Sequence, residues 1–186
     1  MEIELHIETI ETERRWNRLQ SFDEAGTILG KFLSFRDDET FIWLRERDGH
    51  PSAQNAEVRR ATVRAMKPAI GSTITELRDF DRIYESPVLE LRQYRLRPGT
   101  RGDFAAFLRD RTFGEHERLG MAIYGPFDAL DDENVLVWFR GFPSLQERDR
   151  RKADFYQSRL WLDELENEAF SMIEDYRNVI LITPVH

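Results

Sequence analysis

Residues 131–140 of the chain read DDENVLVWFR, and residues 37–45 read DDETFIWLR, so nearly the same stretch occurs twice. In both copies an acidic turn leads into a run of β-branched and aromatic residues, which is the pattern of a hairpin entering a strand. A second match follows, since residues 51–54 read PSAQ and residues 143–146 read PSLQ. The repetition predicts a tandem repeat with two similar halves of roughly 90 residues each.

The same order of elements is predicted in both halves. Apolar and polar residues alternate at residues 3–8 and 89–94, which predicts a half-buried first strand. A helix, a second strand and the repeated Trp-x-Arg strand follow. Ser52 and Ser144 are then predicted to cap a second helix, in which residues 59–61 (RRA) match residues 151–153 (RKA). The closing strands are predicted at residues 72–77 and 178–183.

This order, βαββαβ, predicts the ferredoxin-like arrangement, in which both helices cover one face of an antiparallel sheet. The other face also has to be buried, and the second half of the chain is the expected partner. The predicted fold class is therefore α+β, with two ferredoxin-like repeats packed sheet to sheet. The expected domains are residues 1–85 and residues 86–186.

Composition excludes several classes of function. With a net charge of −8, the chain lacks the basic surface on which general binding to nucleic acid or to anionic lipid depends. No apolar run is long enough to span a membrane, and the first residues do not resemble a secretory signal. Cysteine is absent, so disulfides and thiol chemistry are excluded. A cytoplasmic location is expected.

The second half carries the residues of a known family. Residues 90–99 read ELRQYRLRPG and residues 138–142 read WFRGF, and Phe155-Tyr156, Trp161 and residues 178–181 (NVIL) follow. In this pattern the chain resembles the NIPSNAP family, whose members share the dimeric α/β-barrel fold. The match covers residues 88–185. The first half matches only through the internal repeat, because it lacks the Pro-Gly after its first strand and the Phe-Tyr and Trp segment.

The resemblance implies that the two halves close into an intrachain dimeric α/β barrel, with a cleft able to hold a small, partly apolar molecule. It implies no reaction, because no catalytic residues common to the family are established. Cofactor-independent monooxygenases, polyketide cyclases and haem-degrading enzymes have related folds. Transferring any of those activities to this chain would be an argument from fold alone.

The candidate site is the polar face of the first and third strands of each half. If the apolar residues of these strands face the helices, the polar ones face the space between the two sheets. The predicted inward set comprises Glu4, His6, Glu8, Trp43, Arg45, Glu90, Arg92, Tyr94, Trp138 and Arg140. One interpretation is a structural network of ion pairs, such as Glu90 with Arg140 and Glu4 with Arg45, that holds the sheets in register.

The functional interpretation of the same face is a ligand site. Arg92 and Arg140 would hold an anionic or carbonyl group, while Trp138 and Tyr94 would stack on a flat ring. Tyr156 would close the mouth of the pocket, although aromatic residues at helical spacing are more often core. Glu90, Trp43 and Arg45 complete the predicted ligand-binding set.

Catalytic candidates are Arg140, His6 and His116. Arg140 would stabilise an enolate while one histidine takes a proton, although an exposed loop position is the commoner setting for His116. The three residues Glu4, His6 and Glu8 are a weak metal pattern, and the expectation is no metal and no cofactor.

Three functions stay open. The first is a NIPSNAP-like protein that binds a small, partly apolar or aromatic molecule between the sheets. The second is a cofactor-independent monooxygenase, isomerase or cyclase acting on an aromatic or enolisable substrate. The third is a structural or assembly protein without a ligand, in which an open sheet edge in each half allows a homodimer of the two-repeat chain.

Overall fold

The computed structural model describes residues 2–10, 14–20, 26–37, 39–46, 56–63 and 82–185. The strands are β1 (Glu2–Thr9), β2 (Ile28–Ser34), β3 (Thr40–Glu46), β4 (Ala56–Val63), β5 (Val88–Leu96), β6 (Ala122–Ala129), β7 (Val135–Phe142), β8 (Ile173–Asp175) and β9 (Val179–Pro184). The helices are α1 (Arg15–Gln20), α2 (Arg101–Phe107), α3 (Phe113–Arg118), α4 (Leu145–Tyr156) and α5 (Glu166–Met172). There are also two π-helical segments. The first, Leu108–Thr112, connects α2 to α3, and the second, Leu160–Leu165, precedes α5.

The four strands of each half are arranged in the same order. In the first half the order is β4-β1-β3-β2, and in the second it is β9-β5-β7-β6, with every neighbouring pair antiparallel. In both halves the first strand of the half therefore lies in the centre beside the third. This is the strand order of the ferredoxin-like fold that the sequence predicts.

The two halves join at their edges and close into a barrel. Strand β2 pairs with β9, and β4 pairs with β6, each through three residues on either strand. Eight strands thus form a continuous ring, to which β8 adds beside one end of β5. The predicted α+β barrel is confirmed. The predicted open edge in each half is wrong for the described strands, because each outer strand of one half pairs with the other half.

Residues 56–63 form strand β4, although the repeat pattern predicts a helix that includes residues 59–61. The stretch contains the β-branched residues Val58, Thr62 and Val63, which favour extended backbone. It also pairs with β1 along seven residues, from Glu2 opposite Thr62 to Glu8 opposite Ala56. The helical alignment with residues 151–153 is therefore wrong. Ser52 and the strand predicted at residues 72–77 lie outside the described residues.

The two faces of the ring carry different cores, and they are the reverse of the prediction. Apolar side chains of both halves fill the interior, including Ile3, Leu5, Leu89, Leu91 and Phe139. Tyr94 and Trp138 instead pack outside the ring, against Phe104 and Phe113 of the helices.

The predicted position of the polar set between the sheets is therefore wrong. The physical reason for the observed orientation is solvation. Apolar side chains inside the closed ring offer no partner for a charge, so burying the polar side chains in that interior would cost several kcal/mol. Beneath the helices, side chains such as Arg18, Arg148 and Lys152 supply the partners.

Within the described ranges, every helix is too short or too polar to cross a membrane.

Candidate functional site

A cavity of about 870 Å³ lies between the sheet of the second half and its helices. Strands β5, β7 and β9 form its floor, and α2, α3, α4, α5 and the two π-helical segments form its walls. Its aromatic lining consists of Tyr94, Phe104, Phe107, His116, Trp138, Phe155, Tyr156, Trp161, Phe170 and Tyr176. Its basic lining consists of Arg36, Arg92, Arg148, Lys152 and Arg177, and the acidic residue Glu166 also lines it.

Both π-helical segments contribute side chains to this cavity. Leu108 and Thr112 come from the first, and Trp161 comes from the second. In a π-helical turn an extra residue widens the helix, and such turns are frequent at functional sites. The Thr112 hydroxyl donates a hydrogen bond to the carbonyl of Leu108 at 2.9 Å, so the Leu108 carbonyl has a hydrogen-bond donor within the widened turn.

Glu90 is the anionic centre beneath one end of the cavity. Its carboxylate accepts hydrogen bonds from Arg140 Nη2 at 2.7 Å, from Arg148 Nε at 2.7 Å and from Lys152 Nζ at 3.1 Å, and Arg92 Nη1 is a fourth donor. The Glu90 side chain is fully buried. Burial alone would raise its pKa, but the four surrounding cations hold the pKa of Glu90 well below the ordinary value.

His116 lies in α3 with its side chain buried, so its predicted exposed loop position is wrong. Its Nε2 is 3.3 Å from Nη1 of Arg140. A guanidinium can only donate, so Nε2 accepts and the ring proton sits on Nδ1. Burial, reinforced by the charges of Arg140 and Arg92, lowers the pKa of His116 well below its ordinary value, and the ring is neutral.

Two tyrosines flank the basic cluster. The Tyr94 hydroxyl accepts a hydrogen bond from Arg92 Nε at 2.8 Å, and burial raises the pKa of Tyr94. Tyr156 lies 3.4 Å from Arg140 Nη1. Burial acts to raise the pKa of Tyr156, but the positive charges of Arg140 and Arg92 outweigh it, so this pKa is lowered. Of Tyr94 and Tyr156, Tyr156 is therefore the one whose pKa is shifted towards ionisation.

Trp138 lies on the cavity floor in a cationic setting. The guanidinium carbon of Arg92 is 5.1 Å from the centre of a Trp138 ring, and that of Arg140 is 5.8 Å from it. The indole nitrogen Nε1 is buried and has no hydrogen-bond partner among the residues that the structure describes, and the same is true of His116 Nδ1. Two buried N–H donors on residues that line the cavity are thus unsatisfied.

In the first half, the corresponding polar face forms a tight side-chain network. The rings of His6 and Trp43 stack with centroids 3.6 Å apart and planes 8° from parallel. Trp43 Nε1 donates to Glu8 at 2.6 Å, and Arg45 donates to Glu4 at 2.7 Å. His6, Trp43 and Arg45 therefore lie apart from the residues that line the cavity.

The structure brings together part of the predicted site. Arg92, Tyr94, Trp138, Tyr156 and His116 line one cavity. Glu90 and Arg140 lie behind this lining and hold it, and the predicted ion pairs of Glu90 with Arg140 and of Glu4 with Arg45 are both present.

Arg148 and Lys152 belong to the site but are absent from the set predicted from the sequence. Their spacing of four residues puts both on the side of α4 that faces Glu90. That spacing was a usable signal, whereas their neighbour Arg150 pairs with Glu147 and Asp154 at the surface.

No group of three or more histidine, aspartate or glutamate side chains in the described part of the chain could hold a metal ion. In particular, Glu4 accepts from Arg45, and Glu8 accepts from Trp43 and Arg18. The His6 ring lies 3.3 Å from Glu4 through its Nε2. What the cavity lining provides for a ligand is aromatic surface and hydrogen-bond donors.

The family model described as NIPSNAP matches residues 89–185, which is just over half of the chain. No curated protein matches the sequence. Among solved structures, a NIPSNAP family protein from Agrobacterium tumefaciens is 20% identical, with a TM-score of 0.47 over 53% of this chain and 85% of that chain.

Two similar structures cover nearly the whole chain. A proposed monooxygenase from Lactobacillus acidophilus is 12% identical, with a TM-score of 0.63 over 98% of this chain and 93% of that chain. A second proposed monooxygenase, from Fusobacterium nucleatum, is 7% identical, with a TM-score of 0.62 over 100% of this chain and 92% of that chain. At these identities the likeness concerns the fold alone. The family-model match over residues 89–185 shows that the chain belongs to the NIPSNAP family.

Proposed function

We propose that the second half of the chain binds a small, partly apolar or aromatic molecule in the cavity between its sheet and its helices. The observation that carries the proposal is the cavity itself, whose volume of about 870 Å³ suits a molecule of several rings. The aromatic side chains of its lining suit a flat apolar body. Apart from Arg36, the described residues that line the cavity belong to the part of the chain that matches the family, residues 89–185.

The contacts among the lining residues support a preformed site. Phe155 lies between His116 and Trp161, with ring centroids 4.3 Å and 5.3 Å away. Tyr156 meets Trp161 edge to face at 4.9 Å. Side chains held in this way keep their positions when the cavity fills, so that little ordering cost opposes binding.

The proposal is tested with a neutral apolar dye, N-phenylnaphthylamine, whose fluorescence rises in apolar surroundings. Ala169 is a buried residue of α5 that lines the cavity, whereas Ala106 is a half-buried residue of α2 that does not. Ala169→Leu should weaken dye binding roughly tenfold, because the added carbon atoms occupy ligand space. Ala106→Leu is the matched control and should leave the affinity unchanged. Dye affinity that is indifferent to Ala169→Leu in a folded variant would refute the site.

A second candidate is an isomerase or cofactor-independent monooxygenase, and one observation favours it. Tyr156 lines the cavity, and its pKa is lowered by Arg140 and Arg92 although burial opposes this. A phenol with a lowered pKa that lines the cavity is a better candidate for taking a proton from an enolisable substrate than His116, whose Nε2 faces Arg140, or His6, which lies in the other half.

The enzymatic alternative has its own test. Exchange of α-hydrogens of aryl ketones for solvent deuterium, followed by NMR, should occur in the wild type and cease in Tyr156→Phe. Exchange that persists in Tyr156→Phe would contradict the role of Tyr156. No exchange with any ketone that displaces the dye would favour binding without catalysis.

A homodimer of the chain stays a prediction, which light scattering after gel filtration would check.

A further inference from the structure

Four cations surround one buried carboxylate at the end of the cavity. Arg92, Arg140, Arg148 and Lys152 all contact Glu90. The exposed carboxylate of Asp149 contacts Arg148 from the solvent side. Among the described residues, these contacts set two carboxylates against four cations, which leaves two positive charges in excess.

The excess positive charge reaches the cavity surface. Arg92, Arg148 and Lys152 line the cavity, whereas Glu90 lies behind them. Glu166, the one carboxylate among the described residues of the lining, accepts a hydrogen bond from Trp161 Nε1 at 3.2 Å. Arg92 is nearly fully buried, so its charge is poorly screened by water and its interaction with a ligand would be strong.

Neutral groups in the lining add donors. Trp138 Nε1 and His116 Nδ1 are buried N–H groups without a partner in the described part of the chain, and each residue is only 2% exposed. A buried donor left without an acceptor costs roughly 1–3 kcal/mol, so these two N–H groups favour a neighbouring group that accepts. An indole can only donate, and the His116 ring donates through Nδ1 because Nε2 accepts from Arg140.

We propose that the ligand of this cavity is an organic oxyanion, such as an arylcarboxylate, whose charged group is held by Arg92, Arg148 and Lys152 while its aromatic body packs along Trp138 and Phe155. The inference rests on the proposed function, because it specifies the charge of the molecule that the cavity binds. Cations outnumber carboxylates around the basic end, and aromatic side chains also line the cavity. A ligand with one anionic end and one apolar end matches both parts.

The test compares two dyes with the same ring system and different charge. Anilinonaphthalene sulfonate is an anion, and N-phenylnaphthylamine is its neutral counterpart. Wild type should bind the anion at least about tenfold more tightly than the neutral dye, as expected for a charge-assisted hydrogen bond. Naphthoate should displace the bound anion at lower concentration than naphthamide, which tests a carboxylate in place of the sulfonate.

Variants of α4 provide the matched control. Lys152→Gln should weaken binding of the anion roughly tenfold and change binding of the neutral dye less than twofold. Arg150→Gln removes a cation from the same helix that faces Glu147 and Asp154, and should change neither affinity. If Lys152→Gln does not fold, added salt replaces it, since salt should weaken binding of the anion to wild type and leave the neutral dye unaffected.

The outcomes separate the two proposals. Equal affinity for both dyes, or preference for the neutral one, overturns the anionic ligand and keeps the proposed cavity. Binding of neither dye overturns the proposed function itself. If neither Lys152→Gln nor Arg150→Gln changes the affinity for the anion, the assignment of the charged end is also overturned.

Discussion

Glu90 on β5 and Arg140 on β7 are direct partners across the two central strands of the second half, and their side chains form an ion pair at 2.7 Å without any exposure to solvent. Glu4 and Arg45 occupy the same relation on β1 and β3, with a separation of 2.7 Å. Each half is therefore pinned at its centre by a buried pair on the helix side of the sheet. The pairs differ in their surroundings, because three further cations contact Glu90.

Glu90→Gln should strongly destabilise the protein. The variant leaves Arg140 fully buried without a charge partner, and removing one member of a buried pair costs about 3–5 kcal/mol. Urea unfolding followed by circular dichroism measures the change. Glu147→Gln is the control, because Glu147 binds Arg150 and Arg151 at the surface and its loss should matter little. Equal effects of the two substitutions would contradict the central role of Glu90.

Stability should fall as the pH is lowered through the range of an ordinary histidine. The pKa of His116 is lowered in the folded protein, chiefly by burial, so the unfolded chain binds a proton first. The stabilisation is complete above the unfolded pKa of about 6.5 and declines below it by up to roughly 1.4 kcal/mol per pH unit. His6 acts in the same direction, because its pKa is also lowered by burial.

The pH prediction is checked with urea midpoints between about pH 7.5 and pH 5.5, a range that brackets the ordinary histidine pKa. His116→Gln should reduce the slope of stability against pH and leave the part that belongs to His6. An unchanged slope in His116→Gln would show that its ring does not take up a proton on unfolding. Glu90 contributes at lower pH, because its depressed pKa makes its stabilisation disappear only as the pH falls below the ordinary range of glutamate.

Two glycines should respond oppositely to substitution by alanine. A Cβ on Gly141 of β7 would lie 2.2 Å from Ser86 Oγ and 2.8 Å from Ser86 Cβ, so Gly141→Ala should cost about 1–3 kcal/mol. A Cβ on Gly114 of α3 would meet no atom within 4 Å. Gly114→Ala should therefore stabilise the helix by roughly 0.5–1 kcal/mol. Thermal unfolding of the two variants separates these effects, and the same sign for both would contradict the packing around Gly141.

The two tryptophans of the repeated strands should tolerate phenylalanine unequally. Trp43 Nε1 donates to the largely buried Glu8, and its loss removes a partner from that carboxylate. Trp138 Nε1 has no partner to lose within the described ranges. Trp43→Phe should therefore be more destabilising than Trp138→Phe by about 1 kcal/mol, measured without ligand. A larger loss in Trp138→Phe would indicate that its indole nitrogen has a partner in solution.

Much of the architecture could be read from the residue pattern. Alternating residues predicted β1 and β5, the acidic turns predicted the strands β3 and β7, and Ser144 was predicted as the cap of α4. The structure bears out that cap, since Ser144 Oγ accepts from the backbone N–H of Glu147 at 3.1 Å. These features succeed because turns, caps and alternation depend on residues that are close in sequence.

The alternation by itself determined which side chains share a face, and it placed Glu90, Arg92, Tyr94, Trp138 and Arg140 together. It could not determine which face points into the barrel, because a period of two is the same whichever side is buried. Only the closed ring of strands decided that, since its interior is sealed from water and is filled by apolar side chains. On the charged face, α4 brings Arg148 and Lys152 to Glu90 from 58 and 62 residues away along the chain.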